Sequence, residues 1–338
     1  MATARTMIST NIDYDRPGAQ FGTLRLPNSV HRSAYGHIAI PVAVFVNGSG
    51  PTVLLTGGVH GDEYEGPVAL SRLAREIDVA DVNGRIIILP TLNHPAFVAG
   101  TRTSPTDGIN LNRTFPGKQD GTATEMIAHY VTTELLPRTD CLIDLHAGGS
   151  SLQYMPALLA PRWSDPDKTA RTEALVAAFA AENVIYFDSV RALSGEDRVL
   201  GNYANRHNVD FLTGEFGGGS TVNVAGLAVA ERGVRGVLAH LGILPTRLPP
   251  AGPVRRLMMD DPGLFAFADR RGYFEPKFVL GQSLEAGALA GLIHDIDIPW
   301  ADPVPVHFRA GGVAMCIRTY SLVEAGDCLG HLATVLPT

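Results

Sequence analysis

The feature that most constrains this chain is a series of short segments that are apolar at nearly every position, separated by helical patterns. PTVLLTGGVHG (51–61), GRIIILPTLN (84–93), CLIDLHAGG (141–149) and VDFLTGEFGGG (209–219) are of this kind. A strand that does not alternate between apolar and polar must be covered on both faces, as in a parallel sheet sandwiched by helices. The intervening GPVALSRLAREI (66–77), ATEMIAHYVTTELL (123–136), KTARTEALVAAFAAEN (168–183) and VAGLAVAERGVRGVLAHLGI (224–243) read as helices. In the first of them Val68, Leu70, Leu73, Ala74 and Ile77 fall near one face. The alternation predicts an α/β domain with a mixed, largely parallel sheet flanked by helices. Residues 1–50 read as short N-terminal strands, HIAIPVAVFV (37–46) being the clearest. Beyond LPTRLPPAGP the helical period disappears, and residues 254–338 are short apolar runs with many glycines. Two units are expected: an α/β domain over 1–245 and a smaller all-β domain over 246–338.

Composition removes several function classes. The formal charge is −7 with no basic run, so nucleic acid is not an expected partner. No apolar stretch approaches the roughly 18 residues of a membrane helix. The opening residues, MATARTMISTNIDYDRPG, lack the apolar core of a signal peptide. Cys141, Cys316 and Cys328 provide neither a disulfide framework nor a Cys-x-x-Cys metal site. A soluble cytoplasmic protein is expected, and self-association is left open.

The chemistry concentrates where apolar strands run into glycines. In GGVHGDEYEG (57–66), His60 and Glu63 stand three apart at the C-terminal end of a strand, where open α/β sheets bind ligands. One nitrogen and one oxygen donor at this spacing can converge on a cation, and a catalytic zinc needs a third protein ligand and an open position. His146 closes the strand CLIDLH and is the best third donor. Asp144 shares its face of the strand and is placed to orient His60 or His146 through the second ring nitrogen. Taken singly, either histidine could be structural; two at strand ends beside glycines favour a metal. His94 in a loop before Pro95, His129 and His240 in helical patterns, and His307 in the β region read as structural. Glu215, in TGEFGGG, interrupts an apolar strand, and burial would raise its pKa toward that of a useful general base. The loop RTSPTDGINLNRTFPG (102–117) holds Arg102, Asn112 and Arg113. A guanidinium fork fits a carboxylate, and Asn112 could add a donor.

GGVHGDEYEG, NLNRTFPG, DLHAGG and GEFGGG, in this order over residues 53–219, resemble the succinylglutamate desuccinylase/aspartoacylase family, relatives of the zinc carboxypeptidases. Within it the chain looks most like the bacterial N-acetyl-diaminobutyrate deacetylase group. The resemblance implies a carboxypeptidase-like α/β domain and one Zn2+ per chain held by His60, Glu63 and His146. It implies hydrolysis of the amide of a small N-acyl amino acid, with Glu215 as general base, Arg102 polarising the carbonyl, and Asn112 and Arg113 holding the substrate carboxylate. A zinc exopeptidase on peptides and a binding protein with a degenerate site are the alternatives. Residues 310–335 also look like a biotinyl/lipoyl-type barrel, although residues 278–338 contain no lysine to carry such a cofactor. That barrel is read as structural: a lid, a pocket wall or an oligomer contact.

Overall fold

The computed structural model describes residues 6–188, 198–245 and 252–337. The chain opens with β1 (Ser9–Thr10), β2 (Gly18–Pro27) and β3 (His37–Asn47), paired antiparallel. The short strands expected here are in fact a ladder of 10- and 11-residue strands. Glycines at 18 and 22 and prolines at 27 and 41 break up the apolar pattern in sequence, but the ladder continues through Gly22, Pro41 and both ends.

The α/β part follows. β4 (Thr52–Gly57), helix α1 (Glu65–Glu76) and β5 (Gly84–Leu89) lead to helices α2 (His94–Ala99) and α3 (Ala123–Tyr130). Then come β6 (Cys141–His146), β7 (Leu152–Tyr154), β8 (Ala157–Arg162), α4 (Pro166–Phe179), β9 (Asn183–Asp188), α5 (Leu200–Arg206), β10 (Asp210–Glu215) and α6 (Val224–His240). The four apolar segments form the centre of the sheet in the order β5-β4-β6-β10, all parallel. Every residue of β4 and β6 is buried. Their side chains alternate between two cores. Val53, Leu55, Ile143 and Leu145 pack with α1, α4 and α6, whereas Leu54 and Leu142 pack with α3, α5 and the N-terminal strands. Burial on both faces is the physical reason these strands carry no polar alternation.

Three local expectations change. The helix expected over 168–183 ends at Phe179, because Ala180 turns left-handed and Asn183 already begins β9. β8 and α5 had no legible signal: Pro161 interrupts the first, and the second is LGNYANR. Gly201 in α5 is required by packing, since a Cβ there would run into the Phe211 ring. His94, expected in a loop, starts α2, where Pro95 in the first turn suits helix initiation.

The C-terminal region contains β11 (Arg255–Met258), β12 (Phe265–Phe267), β13 (Gly272–Pro276), β14 (Ser283–Leu284) and β15 (Leu289–His294). It ends with β16 (Val304–His307), β17 (Gly312–Arg318), β18 (Leu322–Val323) and β19 (Cys328–Val335). Among the described residues after 251 there is no α-helix. β16-β15-β13-β18 make a separate antiparallel sheet. β11 instead pairs parallel with β9, and β19 and β17 continue the main sheet beyond it. One apolar cluster is drawn wholly from residues 264–332, and another joins Ala157 and Ile185 to Leu257, Met315 and Ala333. The C-terminal strands therefore have a core of their own and also pack on the α/β part.

Among the described residues no helix is long and apolar enough to cross a membrane. Because the C-terminal 61 residues lack lysine, the intact mass is expected to equal the sequence mass; an excess matching biotin or lipoate would refute the structural reading of these strands.

Candidate metal centre

The loop after β4 carries the first two candidate ligands. Gly58 adopts a left-handed conformation (φ 60°), and a Cβ on Gly61 would run into the Ala96 backbone of α2, so the loop can lie flat only with glycine there. This folds His60 and Glu63 inward beside the end of β6, where His146 emerges. All three side chains are buried. Glu63 bridges the two histidines: Oε1 lies 2.6 Å from His60 Nδ1 and Oε2 lies 2.8 Å from His146 Nδ1. One donor atom from each residue lies within 4.8 Å of the others, so the three could hold a metal ion.

The second ring nitrogens decide whether this set suits a cation. His60 Nε2 donates to Asn110 Oδ1 at 3.1 Å, and His146 Nε2 donates to Asp144 Oδ2 at 2.8 Å. Asp144 Oδ1 in turn accepts from Thr56 Oγ1 at 2.7 Å. With acceptors on both Nε2 atoms, both Nδ1 atoms would be free to bind an ion beside the Glu63 carboxylate, the arrangement a metal-binding histidine requires. The geometry thus assigns Asp144 to His146. Asn110 was not singled out in sequence; its signal, an Asn in NLNR that also caps the turn Leu111–Arg113 through Asn112 N, reads as an ordinary turn residue.

The electrostatics are those of a buried charged cluster. Burial would raise the Glu63 pKa, but His60 and His146 outweigh it and hold the carboxyl well below its usual range. His60 is pushed down by burial, against the pull of Glu63. His146 is also buried, yet Asp144 and Glu63 together push it above its usual value. Glu215 pairs with His146 in register across β10 and β6. Burial, with the Glu63 charge adding to it, pushes its pKa up to about 8. Its Oε2 is buried without a hydrogen-bond partner among the described residues.

These groups open onto one cavity of about 400 Å³. His60, His146, Glu215, Arg102, Asn112 and Arg113 all line it. Arg102 Nη1 reaches within 3.3 Å of His60 Nδ1 and 3.5 Å of Glu63 Oε1. Asn112 uses Oδ1 to accept from Leu200 N at 2.9 Å, which anchors the start of α5 and leaves its amide facing the cavity with Nδ2 3.4 Å from His146 Nε2. Arg113 Nη1 donates to the Asn112 carbonyl at 2.7 Å. The remaining wall includes Leu159, Trp163, Phe187 and Phe211, together with Met259, Asp260, Asp261, Pro262 and Phe265 from the C-terminal region. None of these wall residues was legible in sequence, because they lie up to 119 positions beyond His146 and become neighbours only through the sheet.

Known proteins resemble this chain over most of its length. The succinylglutamate desuccinylase/aspartoacylase catalytic domain matches residues 49–241. The N-alpha-acetyl-L-2,4-diaminobutyric acid deacetylase of Halomonas elongata is 37% identical over 330 residues, covering 97% of this chain and 95% of that protein. The product-bound ectoine utilization protein EutE (DoeB) of Ruegeria pomeroyi superposes with a TM-score of 0.92 at 38% identity, covering 98% of this chain and 99% of the other. A succinylglutamate desuccinylase from Silicibacter sp. TM1040 does so with a TM-score of 0.93 at 37% identity, with the same coverage. With the motifs, the site geometry and the whole-chain likeness in agreement, the chain belongs to the succinylglutamate desuccinylase/aspartoacylase family.

Proposed function

We propose that this protein is a zinc-dependent amidohydrolase that removes the acyl group from a small N-acyl amino acid, with N-acetyl-2,4-diaminobutyrate as the leading substrate. The observation that carries this reading is the convergence on one cavity of a His–Glu–His donor set, two arginines and the Glu215 carboxylate, whose buried Oε2 has no hydrogen-bond partner among the described residues. The diaminobutyrate assignment rests on the deacetylase likeness over 97% of the chain.

His60, Glu63 and His146 would hold the zinc, with Asn110 and Asp144 keeping the two imidazoles oriented. Bound there, the ion supplies Lewis acidity, which makes water more acidic and a carbonyl more electrophilic. Glu215 takes the proton from the attacking water and later delivers it to the leaving amine, a role that suits a carboxyl whose pKa is pushed toward neutrality. A cation nearby would draw that pKa back down, which favours the basic form. Arg102 donates to the carbonyl oxygen as negative charge grows on it. Arg113 and the amide of Asn112 hold the substrate carboxylate and so fix the scissile bond over the ligands. The products are a short carboxylic acid and a free amino acid. We further propose that the α/β part is zinc carboxypeptidase-like, that the chain divides near residue 245 into this part and the β-rich remainder, and that the enzyme works in the cytoplasm. A peptide-cleaving exopeptidase would use the same groups, but the C-terminal wall of the cavity favours a small substrate.

The test is turnover of N-acyl amino acids, N-acetyl-diaminobutyrate among them, by the zinc-loaded protein, with acetylated dipeptides as the rival class. Arg113→Lys sharpens it. Lysine keeps the charge but cannot copy the planar fork, and loss of one partner of a buried charged pair costs about 2–5 kcal/mol. kcat/KM is expected to fall by roughly one to three powers of ten, with zinc content unchanged. Wild type should discriminate against the amide of the substrate's carboxylate, and the variant should lose much of that discrimination. Equal use of acid and amide by wild type would remove the carboxylate clamp, and the acyl-amino-acid assignment with it.

A further inference from the structure

The segment after β4 holds three buried acids, Asp62, Glu63 and Glu65. Only Glu63 belongs to the candidate metal centre. The other two bind the loops that follow β6 and β10. Asp62 Oδ2 accepts from Ser150 N at 2.7 Å, in the loop after His146. Glu65 Oε1 accepts from Asn223 N at 2.9 Å, at the far end of the loop after Glu215.

Glu65 is wholly enclosed, at 0% exposure. Its Oε1 packs so closely on Gly217 that a Cβ there would run into it. Gly217 O is already fixed by Gly148 N at 3.1 Å and Tyr154 N at 2.9 Å. Asn223 starts α6, accepting on its own Oδ1 from Gly226 N at 2.8 Å. Helix α1 starts close against β6, where a Cβ on Gly66 would come within 2.8 Å of the Leu145 carbonyl. One carboxylate oxygen therefore couples the first turn of α1 to the loop that continues directly from Glu215. A catalytic group must be held to within about 0.5 Å of its working position, and a misplacement of about 1 Å can cost a hundredfold.

We propose that Glu65 is a positioning residue for Glu215: by holding Gly217–Asn223 against the first turn of α1, it sets the distance between the carboxylate that ends β10 and the segment carrying His60 and Glu63. The assignment of Glu215 as base rests on the function proposed above; the bond from Glu65 to the loop does not.

The test compares Glu65→Met, which fills the same space without an acceptor, with Glu65→Gln, which keeps one. Both are made in the full chain and loaded with zinc. Glu65→Met is expected to lose at least tenfold in kcat with KM within threefold and full zinc content, whereas Glu65→Gln stays within threefold of wild type. Amide hydrogen exchange should quicken over residues 217–223 in Glu65→Met alone. In a Glu215→Gln background Glu65→Met should cost little more, because the group it positions is already gone. Unchanged kcat in Glu65→Met, equal losses in the two variants, or unaltered exchange over 217–223 would each overturn the proposal. A wild type without deacylase activity would instead overturn the proposed function, and the exchange comparison would still decide whether Glu65 holds the loop.

Discussion

Glu215→Gln is expected to keep its zinc and its fold and to lose about 10²–10⁴-fold in kcat, the usual worth of a positioned general base. That is about 3–5 kcal/mol of transition-state stabilisation. The substitution is nearly isosteric and removes a group that makes no bond through Oε2 among the described residues, so little else should change. Its effect on metal-free stability has a definite sign. The folded-state pKa is raised to about 8 from 4.5, so the folded chain binds this proton more tightly than the unfolded one. The associated stability is fully present below pH 4.5 and is lost as pH rises through about 8. Glutamine does not ionise, so the metal-free variant should melt no lower than metal-free wild type at pH 8. Kinetics with zinc-loaded protein, together with metal analysis, decide the matter: a loss below tenfold in kcat would take the base role away from Glu215.

Replacing either imidazole should have an equally large and different effect. Purified wild type is expected to carry about one zinc per chain, the stoichiometry of a three-ligand catalytic site, and His60→Ala and His146→Ala should each lose nearly all of it. Two ligands would be too few to hold the cation, and they would leave Glu63 buried beside a single histidine. Added zinc at about a thousandfold over its dissociation constant stabilises a folded protein by about 4 kcal/mol. Thermal melting of the metal-free wild type should therefore rise on adding zinc, and that of the two variants should not. Full zinc occupancy in both variants would show that the ligands lie elsewhere.

Much of this site was legible in the chain because its parts are local. His60 and Glu63 are three residues apart on one turn, and Asp144 and His146 share a strand face through the two-residue period alone. The α/β class followed in the same way, since strands buried on both faces cannot alternate. What the sequence could not reveal depends on distant contacts. Asn110 becomes the partner of His60 across 50 positions, and nothing in its turn-forming neighbourhood distinguishes it from a capping residue. Asp144 could have backed either histidine until β6 placed it 2.8 Å from His146 Nε2. β8 and α5 carry a proline or weak helix formers and are stabilised by the sheet and core they join rather than by propensity. The wall from Met259 to Phe265 reaches the cavity only because β11 extends the main sheet beside β9. Local periodicity is written in neighbouring residues, whereas the partner of His60, the cavity and the bond from Glu65 to Asn223 arise from packing between segments that the chain itself keeps far apart.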